Sequence, residues 1–270
     1  MKTSALNSEK NYWSGKSVAT EQIKSWIDAF HRDGFLVLEN FLSPEESVTL
    51  KNEMEDAFSK HKDHTGGAIE LRMKMFEISP ANLRLFNLEP LVSFAENLVA
   101  KDCHVIHNNA FQTPKGGGIT TWHQDDAPHF ITTSGEPPTN IHLPVLLFTA
   151  NFYLTDVTNI EHGPTQFIPG SHLFGASPPG DMSGTKWENK IHNCYGKAGT
   201  VIMFNNQVWH RGAPNSSPRT RSVTQVSYAR RIIGHKYFPF MNYQMPEHVY
   251  HDADPRLRRL LGFLPTGAYG

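Results

Sequence analysis

From about Val105 to Arg230 the chain is written in short apolar runs cut apart by clusters of Gly, Pro and Asn. Runs that short, bounded by turn formers, do not sustain long helices and read as strands. A chain made of many short strands must close or double its sheet to keep bare edges few. The expected fold is therefore mainly β with flanking helices, a double-stranded β-helix or jelly roll of the cupin kind. With 270 residues the chain can bury one sizeable core. No repeat or linker divides it, so residues 1–270 are expected to form a single domain.

The N-terminal part has a different rhythm. Ile23, Trp26, Ile27 and Phe30 recur at helical spacing, which predicts an amphipathic helix ending before Gly34. Phe35 to Leu38 reads as a buried strand. Ser43-Pro44-Glu45-Glu46 combines an N-cap serine, a proline at the first helical position and a glutamate at N3, so a second helix starts there. This helical portion, about 20–60, is expected to pack on the jelly roll. Pro255 to Phe263 places Leu257, Leu260, Leu261 and Phe263 among arginines, the pattern of a docked amphipathic helix.

Composition excludes several classes of function. The formal net charge is −1, so no electrostatic footprint for nucleic acid or an anionic membrane is present. The longest largely apolar stretch, Leu143 to Leu154, falls well short of the roughly 20 residues of a spanning helix. Cys103 and Cys194 are too few for a disulfide framework, and Met1 to Gly15 carries no apolar leader core. A cytoplasmic protein acting on a small-molecule substrate is expected; nothing specifies an oligomeric state.

Thr120-Thr-Trp-His-Gln-Asp-Asp126 sets an imidazole and a carboxylate two residues apart, and Trp209-His-Arg-Gly212 follows much later. His123, Asp125 and His210 have the composition of the 2-His-1-carboxylate facial triad, which binds iron(II) and leaves other positions open for oxygen chemistry. On a strand, residues i and i+2 share a face, so His123 and Asp125 can point inward together. The same spacing occurs at His31-Arg-Asp33 and His61-Lys-Asp63. Those pairs sit at the polar end of a helix and in a charged run, where solvated surface is the ordinary reading.

Val208 to Arg211 and Thr220 to Arg230 read as strands around the turn-rich segment Gly212 to Pro218. If they form a hairpin centred between Asn215 and Ser216, Arg221 stands directly opposite His210, with Cβ atoms about 5 Å apart. A guanidinium fork beside a metal suits a ligand with a carboxylate at one end and a chelating group at the other. 2-Oxoglutarate is such a molecule.

The chain resembles the phytanoyl-CoA dioxygenase-like family of iron(II)- and 2-oxoglutarate-dependent oxygenases. The resemblance runs from Thr20 to Phe58, through His123-Gln-Asp125 and Asn151 to Asp156, through His162-Gly-Pro-Thr165 and Ile168-Pro-Gly-Ser-His172, to His210 and the arginine eleven residues later. It implies iron(II) held by His123, Asp125 and His210, and 2-oxoglutarate held by Arg221 rather than Arg219. It also implies O2 as oxidant and release of succinate and CO2. The family usually carries a small residue, often with Asn-Gly, where His162 stands; Thr165 is a candidate cosubstrate contact. Gln112, on the strand before Gly116-Gly-Gly118, is a candidate for cosubstrate or substrate binding.

Hydroxylation of an unactivated carbon in a small metabolite or natural-product intermediate is the leading expectation. Desaturation, cyclisation and epimerisation use the same oxidant. A non-catalytic jelly-roll binding protein and a cupin-like metalloenzyme without cosubstrate are the alternatives of other classes. Trp122 and Trp209 are read as core packing, and His172 as a brace for its turn. Residues 127–143 read equally as an active-site lid or a plain loop.

Overall fold

A computed structural model describes residues 12–66, 68–132, 137, 139, 142–235 and 243–263. The helical N-terminus forms as its sequence signals require. Helix α1 (Thr20–Asp33) buries Ile23, Trp26 and Phe30, and ends at Gly34 in the left-handed conformation. A Cβ there would lie 2.5 Å from His172 Nδ1, so both the backbone and the close approach demand glycine. After strand β1 (Phe35–Leu38), helix α2 (Pro44–Lys60) opens with the full capping box: Ser43 accepts from the Glu46 amide and Glu46 accepts from the Ser43 amide. Such caps contribute on the order of 1 kcal/mol.

Strands β2 (His64–Gly66) and β3 (Ile69–Met73) precede the short helix α3 (Pro80–Arg84) and α4 (Leu91–Leu98). Then come β4 (His104–Thr113), β5 (Leu147–Tyr153), β6 (Thr165–Phe167), β7 (His192–Cys194), β8 (Val201–Asn205), β9 (His210–Gly212) and β10 (Arg221–Ala229). Two short helices, α5 (Glu247–Tyr250) and α6 (Pro255–Leu260), follow. Leu260 and Leu261 of the C-terminal segment are buried as its pattern predicted, and Arg256 pairs with Glu89 and Glu96 at 2.6 and 2.7 Å.

The strands form two antiparallel sheets. The larger has the order β1-β8-β5-β10-β4-β3-β2, and the smaller β7-β6-β9. Period-2 alternation gives the large sheet two distinct faces. Phe148, Ala150, Phe152, Val226 and Tyr228 face the helices and join Phe30, Phe94 and Met54 in the main core. Phe30, Phe94 and Phe148 meet edge to face at 5.5 to 6.0 Å, a preferred geometry for aromatic rings. On the other face, Tyr153, Ile202, Phe204 and Val223 pack towards Phe167 of the small sheet. Behind the small sheet, Trp122 and Trp209 cluster with Ile168 and Met182.

Two expectations require correction. Trp122 to Asp125 is not a regular strand: its one sheet contact is a bridge in which His123 and His210 exchange backbone hydrogen bonds at 2.8 and 3.0 Å. The expected hairpin of 208–230 does not form. Strand β9 pairs with β6 in the small sheet, whereas β10 lies between β4 and β5 in the large one. The Gly212 to Thr220 segment therefore crosses from one sheet to the other, and His210 and Arg221 approach the space between the sheets from opposite walls.

Candidate metal and cosubstrate site

Between the sheets lies a cavity of about 280 Å³, lined among others by His123, Asp125, Thr165, His210 and Arg221. Ligand atoms of His123, Asp125 and His210 all lie within 4.8 Å of one another. His210 Nε2 is 3.6 Å from Asp125 Oδ1, and the two imidazole centroids are 4.3 Å apart. The i, i+2 placement of His123 and Asp125 survives without a strand because each amide is tied down: His123 to the His210 carbonyl, and Asp125 to the Asn206 carbonyl at 2.8 Å.

The donor set fits a metal cation. His123 Nδ1 lies 2.9 Å from the Thr121 carbonyl, and His210 Nδ1 lies 2.8 Å from the Val208 carbonyl. A carbonyl accepts but cannot donate, so both Nδ1 atoms carry the hydrogen and, in the neutral imidazoles, the Nε2 lone pairs are the ones available to a metal. Orientation of a ligand imidazole by its far nitrogen is the usual support for a metal site. Burial, reinforced by the neighbouring His210, holds His123 below the ordinary imidazole pKa. Burial also opposes charge on His210, but the Asp125 carboxylate outweighs it and raises that pKa. Two imidazoles and a carboxylate, with no fourth protein ligand in the cluster among the described residues, match iron(II) in oxygen-dependent enzymes.

Arg221 opens β10 opposite Thr113 of β4. Its guanidinium donates to the Gly163 carbonyl and to Thr113 Oγ1, the latter at 3.4 Å, while its Nε is buried without a partner. No carboxylate among the described residues lies within 4.0 Å of it. Burial lowers its pKa. Gly212 makes room for the side chain, since a Cβ there would stand 3.3 Å from an Arg221 terminal nitrogen. A buried cation without a counter-ion is costly, and a carboxylate ligand removes that cost. Thr165 lines the same cavity, its amide donating to the Tyr153 hydroxyl at 3.0 Å.

Gln112 is placed elsewhere. Along β4 the cavity is lined by His107, Asn109, Phe111 and Thr113, so Gln112 falls on the opposite, helix-facing side with Ala110. Its expected contact with cosubstrate or substrate is corrected on that ground. His61 is exposed as expected, whereas His31 is half-buried and lines a separate groove of about 340 Å³ with His129, Phe130, His142 and His172. No three-ligand cluster among the described residues occupies that groove. His172 Nε2 lies 3.0 Å from the His31 carbonyl, bracing its turn against α1. Of the 127–143 segment, residues 133–136, 138, 140 and 141 lie outside the described residues, and His129 and Phe130 line the groove rather than the metal cavity.

The inward face of the large sheet also carries residues that sequence reasoning missed. In register, Phe111-Val223-Tyr153 form one cross-strand row, Asn109-Gln225-Asn151 the next and His107-Ser227-Thr149 a third. Period-2 counting from Arg221 along β10 was enough to place Gln225 on the inward face. The neighbouring strands needed the three-dimensional register.

A jelly roll with a histidine-histidine-carboxylate cluster and, between its sheets, an arginine that has no carboxylate partner among the described residues defines an oxygenase that uses a ferrous ion and a keto-acid cosubstrate. The model of the phytanoyl-CoA dioxygenase (PhyH) family matches residues 30–223, and the chain belongs to that family of iron(II)- and 2-oxoglutarate-dependent dioxygenases. It is 24% identical over 233 residues to ectoine dioxygenase of Bordetella bronchiseptica, covering 75% of this chain and 73% of the relative. Its fold is similar to that of HygX from Streptomyces hygroscopicus with nickel and 2-oxoglutarate bound, with a TM-score of 0.64 at 16% identity over 81% of this chain and 90% of HygX. It is also similar to the epimerase SnoN from nogalamycin biosynthesis, with a TM-score of 0.59 at 19% identity over 79% and 85% of the two chains. No helix among the described residues is long and apolar enough to cross a membrane.

Proposed function

We propose that this dioxygenase hydroxylates an unactivated carbon of a small metabolite or natural-product intermediate. In the balanced reaction one oxygen atom of O2 enters the substrate and the other enters succinate, as 2-oxoglutarate loses CO2. Iron(II), held by His123, Asp125 and His210, supplies the oxygen activation. The protein's own residues bind, orient and exclude water. His123 and His210 present neutral Nε2 atoms because their Nδ1 hydrogens are committed to backbone carbonyls. Arg221 pairs with the far carboxylate of the cosubstrate, and Thr165 contributes a hydroxyl to the same wall. Trp122 and Trp209, buried behind the small sheet, back the ligand-bearing segments with apolar mass.

The observation that carries this reading is the half-buried Arg221 guanidinium, its Nε sealed without a partner and unpaired with any carboxylate of the described residues, in the same cavity as the three-ligand cluster. A second outcome for the same oxidant, epimerisation or ring closure, is favoured by one finding: the similar folds include the epimerase SnoN and the carbocyclase SnoK. The test is quantitative coupling. Iron(II)-loaded protein given candidate substrates should release one succinate per 2-oxoglutarate consumed and add one oxygen from labelled O2 to the product. Coupled succinate without incorporated label supports epimerisation or cyclisation instead, and substrate turnover independent of 2-oxoglutarate removes the oxygenase reading.

A further inference from the structure

The three rows across β4, β10 and β5 grade in polarity away from Arg221. Next to the arginine stands the row of Phe111, Val223 and Tyr153, which lines the cavity with Phe111 and Val223 while the Tyr153 hydroxyl is taken up by Cys194 and Thr165; beyond it lies the amide row of Asn109, Gln225 and Asn151. The guanidinium stays at its own level because it bonds Thr113, its register partner. Residue 225 lies four positions further along the strand, about 13 Å away at the usual rise. A diacid of four C–C bonds, about 1.5 Å each, held at Arg221 would therefore be too short to extend past the amide row.

The amide row is not self-sufficient. Gln225 Nε2 donates to Asn151 Oδ1 at 2.9 Å, which leaves Gln225 Oε1 and Asn151 Nδ2 over. Asn109 contacts His107 through Nδ2, and its Oδ1 is buried without a partner. The spare acceptors Gln225 Oε1 and Asn109 Oδ1 need donors, and the spare Asn151 Nδ2 needs an acceptor, so a complementary ligand must bring donors as well as acceptors. 2-Oxoglutarate, as a dianion with a ketone, has acceptors alone. Asn109, Asn151 and Gln225 all line the cavity that holds the three-ligand cluster, and none of the three is charged.

We propose that the Asn109-Gln225-Asn151 row is the substrate-recognition wall, and that the substrate is a small uncharged or cationic molecule bearing at least two O–H or N–H donors, a polyol or amino alcohol rather than an acyl chain. The inference rests on the oxygenase reading above and narrows it to a substrate class. Asn151 and Gln225 act as specificity-determining residues, while Arg221 and the three ligands serve cosubstrate and metal.

The experiment uses full-length protein loaded with Zn(II) and 2-oxoglutarate, with ligand-detected NMR as the binding readout. Myo-inositol, glucosamine and trans-2-aminocyclohexanol are compared with cyclohexanone, acetophenone and N-methylpyrrolidone, which have no donors. Wild type should bind the donor-bearing set at least tenfold more tightly, and Asn151→Leu/Gln225→Leu should reduce that ratio to near one. The volume-conserving single variant Gln225→Met should lower it part of the way. Thermal stabilisation by Zn(II) plus 2-oxoglutarate should match wild type in both variants. A wild-type ratio near one, or a ratio unchanged in the variants, overturns the proposal. Loss of cosubstrate stabilisation in the variants also overturns it, because the row would then serve 2-oxoglutarate. Absence of that stabilisation in wild type would sink the oxygenase reading itself, and this inference with it.

Discussion

On β10, Val226 and Tyr228 face the helices and are fully buried among aromatic and aliphatic neighbours, while Arg221, Gln225 and Ser227 face the space between the sheets. The same alternation runs through β5, where Phe148, Ala150 and Phe152 face outward to the core and Thr149 and Asn151 face inward. One backbone thus presents a folding surface and a chemical surface one residue out of phase. The outward side chains gain from burial in proportion to their apolar area, and the inward ones are retained although they cost stability. Substitutions on the two faces should therefore separate stability from activity.

The largest separation is expected at the proposed metal ligands. His210→Ala should abolish stoichiometric iron(II) binding and reduce turnover by at least a hundredfold, leaving the far-ultraviolet spectrum unchanged; metal analysis and succinate assay check this. Retained iron would remove His210 from the ligand set. On the helix side, Phe148→Ala should cost about 3–5 kcal/mol in urea unfolding while the folded fraction keeps wild-type affinity for 2-oxoglutarate. A selective loss of cosubstrate affinity would blur the two faces.

A pH test comes next in size. His172 is buried against the His31 carbonyl, and desolvation pushes its pKa down to about 4. The unfolded chain takes up that proton near the ordinary value of 6.5, so unfolding binds more protons than the native state and stability falls as pH drops from 6.5 towards 4. The integrated effect is about 3 kcal/mol. His172→Gln should make that part of the stability profile shallower, with the depressed His235 and His104 still contributing to it, and leave the slope above pH 6.5 unchanged, as read from denaturant midpoints. The smallest free-energy change, and the sharpest contrast, lies between Arg221 and Gln112, far apart in sequence but one rung apart in the β10-β4 register. Arg221→Leu should raise the 2-oxoglutarate requirement by about ten- to a hundredfold with iron content near wild type. Gln112→Leu, on the far face, should shift it by less than twofold.

The legible parts of the sequence were those with local causes. The Ser43-Glu46 capping box, the α1 stripe ending at Gly34 and the buried C-terminal leucines each depend on residues within a few positions, and each forms. His123, Asp125 and His210 were readable as a set because metal ligation restricts residue type severely. The relation of His210 to Arg221 was not, since period-2 patterning reports a strand's faces and not its sheet. A loop leading across to the opposite sheet has the same turn-rich composition as a hairpin loop. Gln112 failed for a related reason: β4 reads His-Val-Ile-His-Asn-Asn-Ala-Phe-Gln-Thr, with polar side chains on both faces, so alternation alone could not choose the inner one. Asn108 and Gln112 take the helix side, and His107 and Asn109 the cavity side.

The reciprocal backbone pairing of His123 with His210 fixes the spacing of two proposed ligands before any ion binds. Capture of the ion then requires little further ordering of those two side chains. The apoprotein should consequently be a reservoir that can be charged and discharged repeatedly: stripping with a chelator leaves the imidazoles at their stations, and adding ferrous salt restores function within the time of mixing, without passage through a denatured chain.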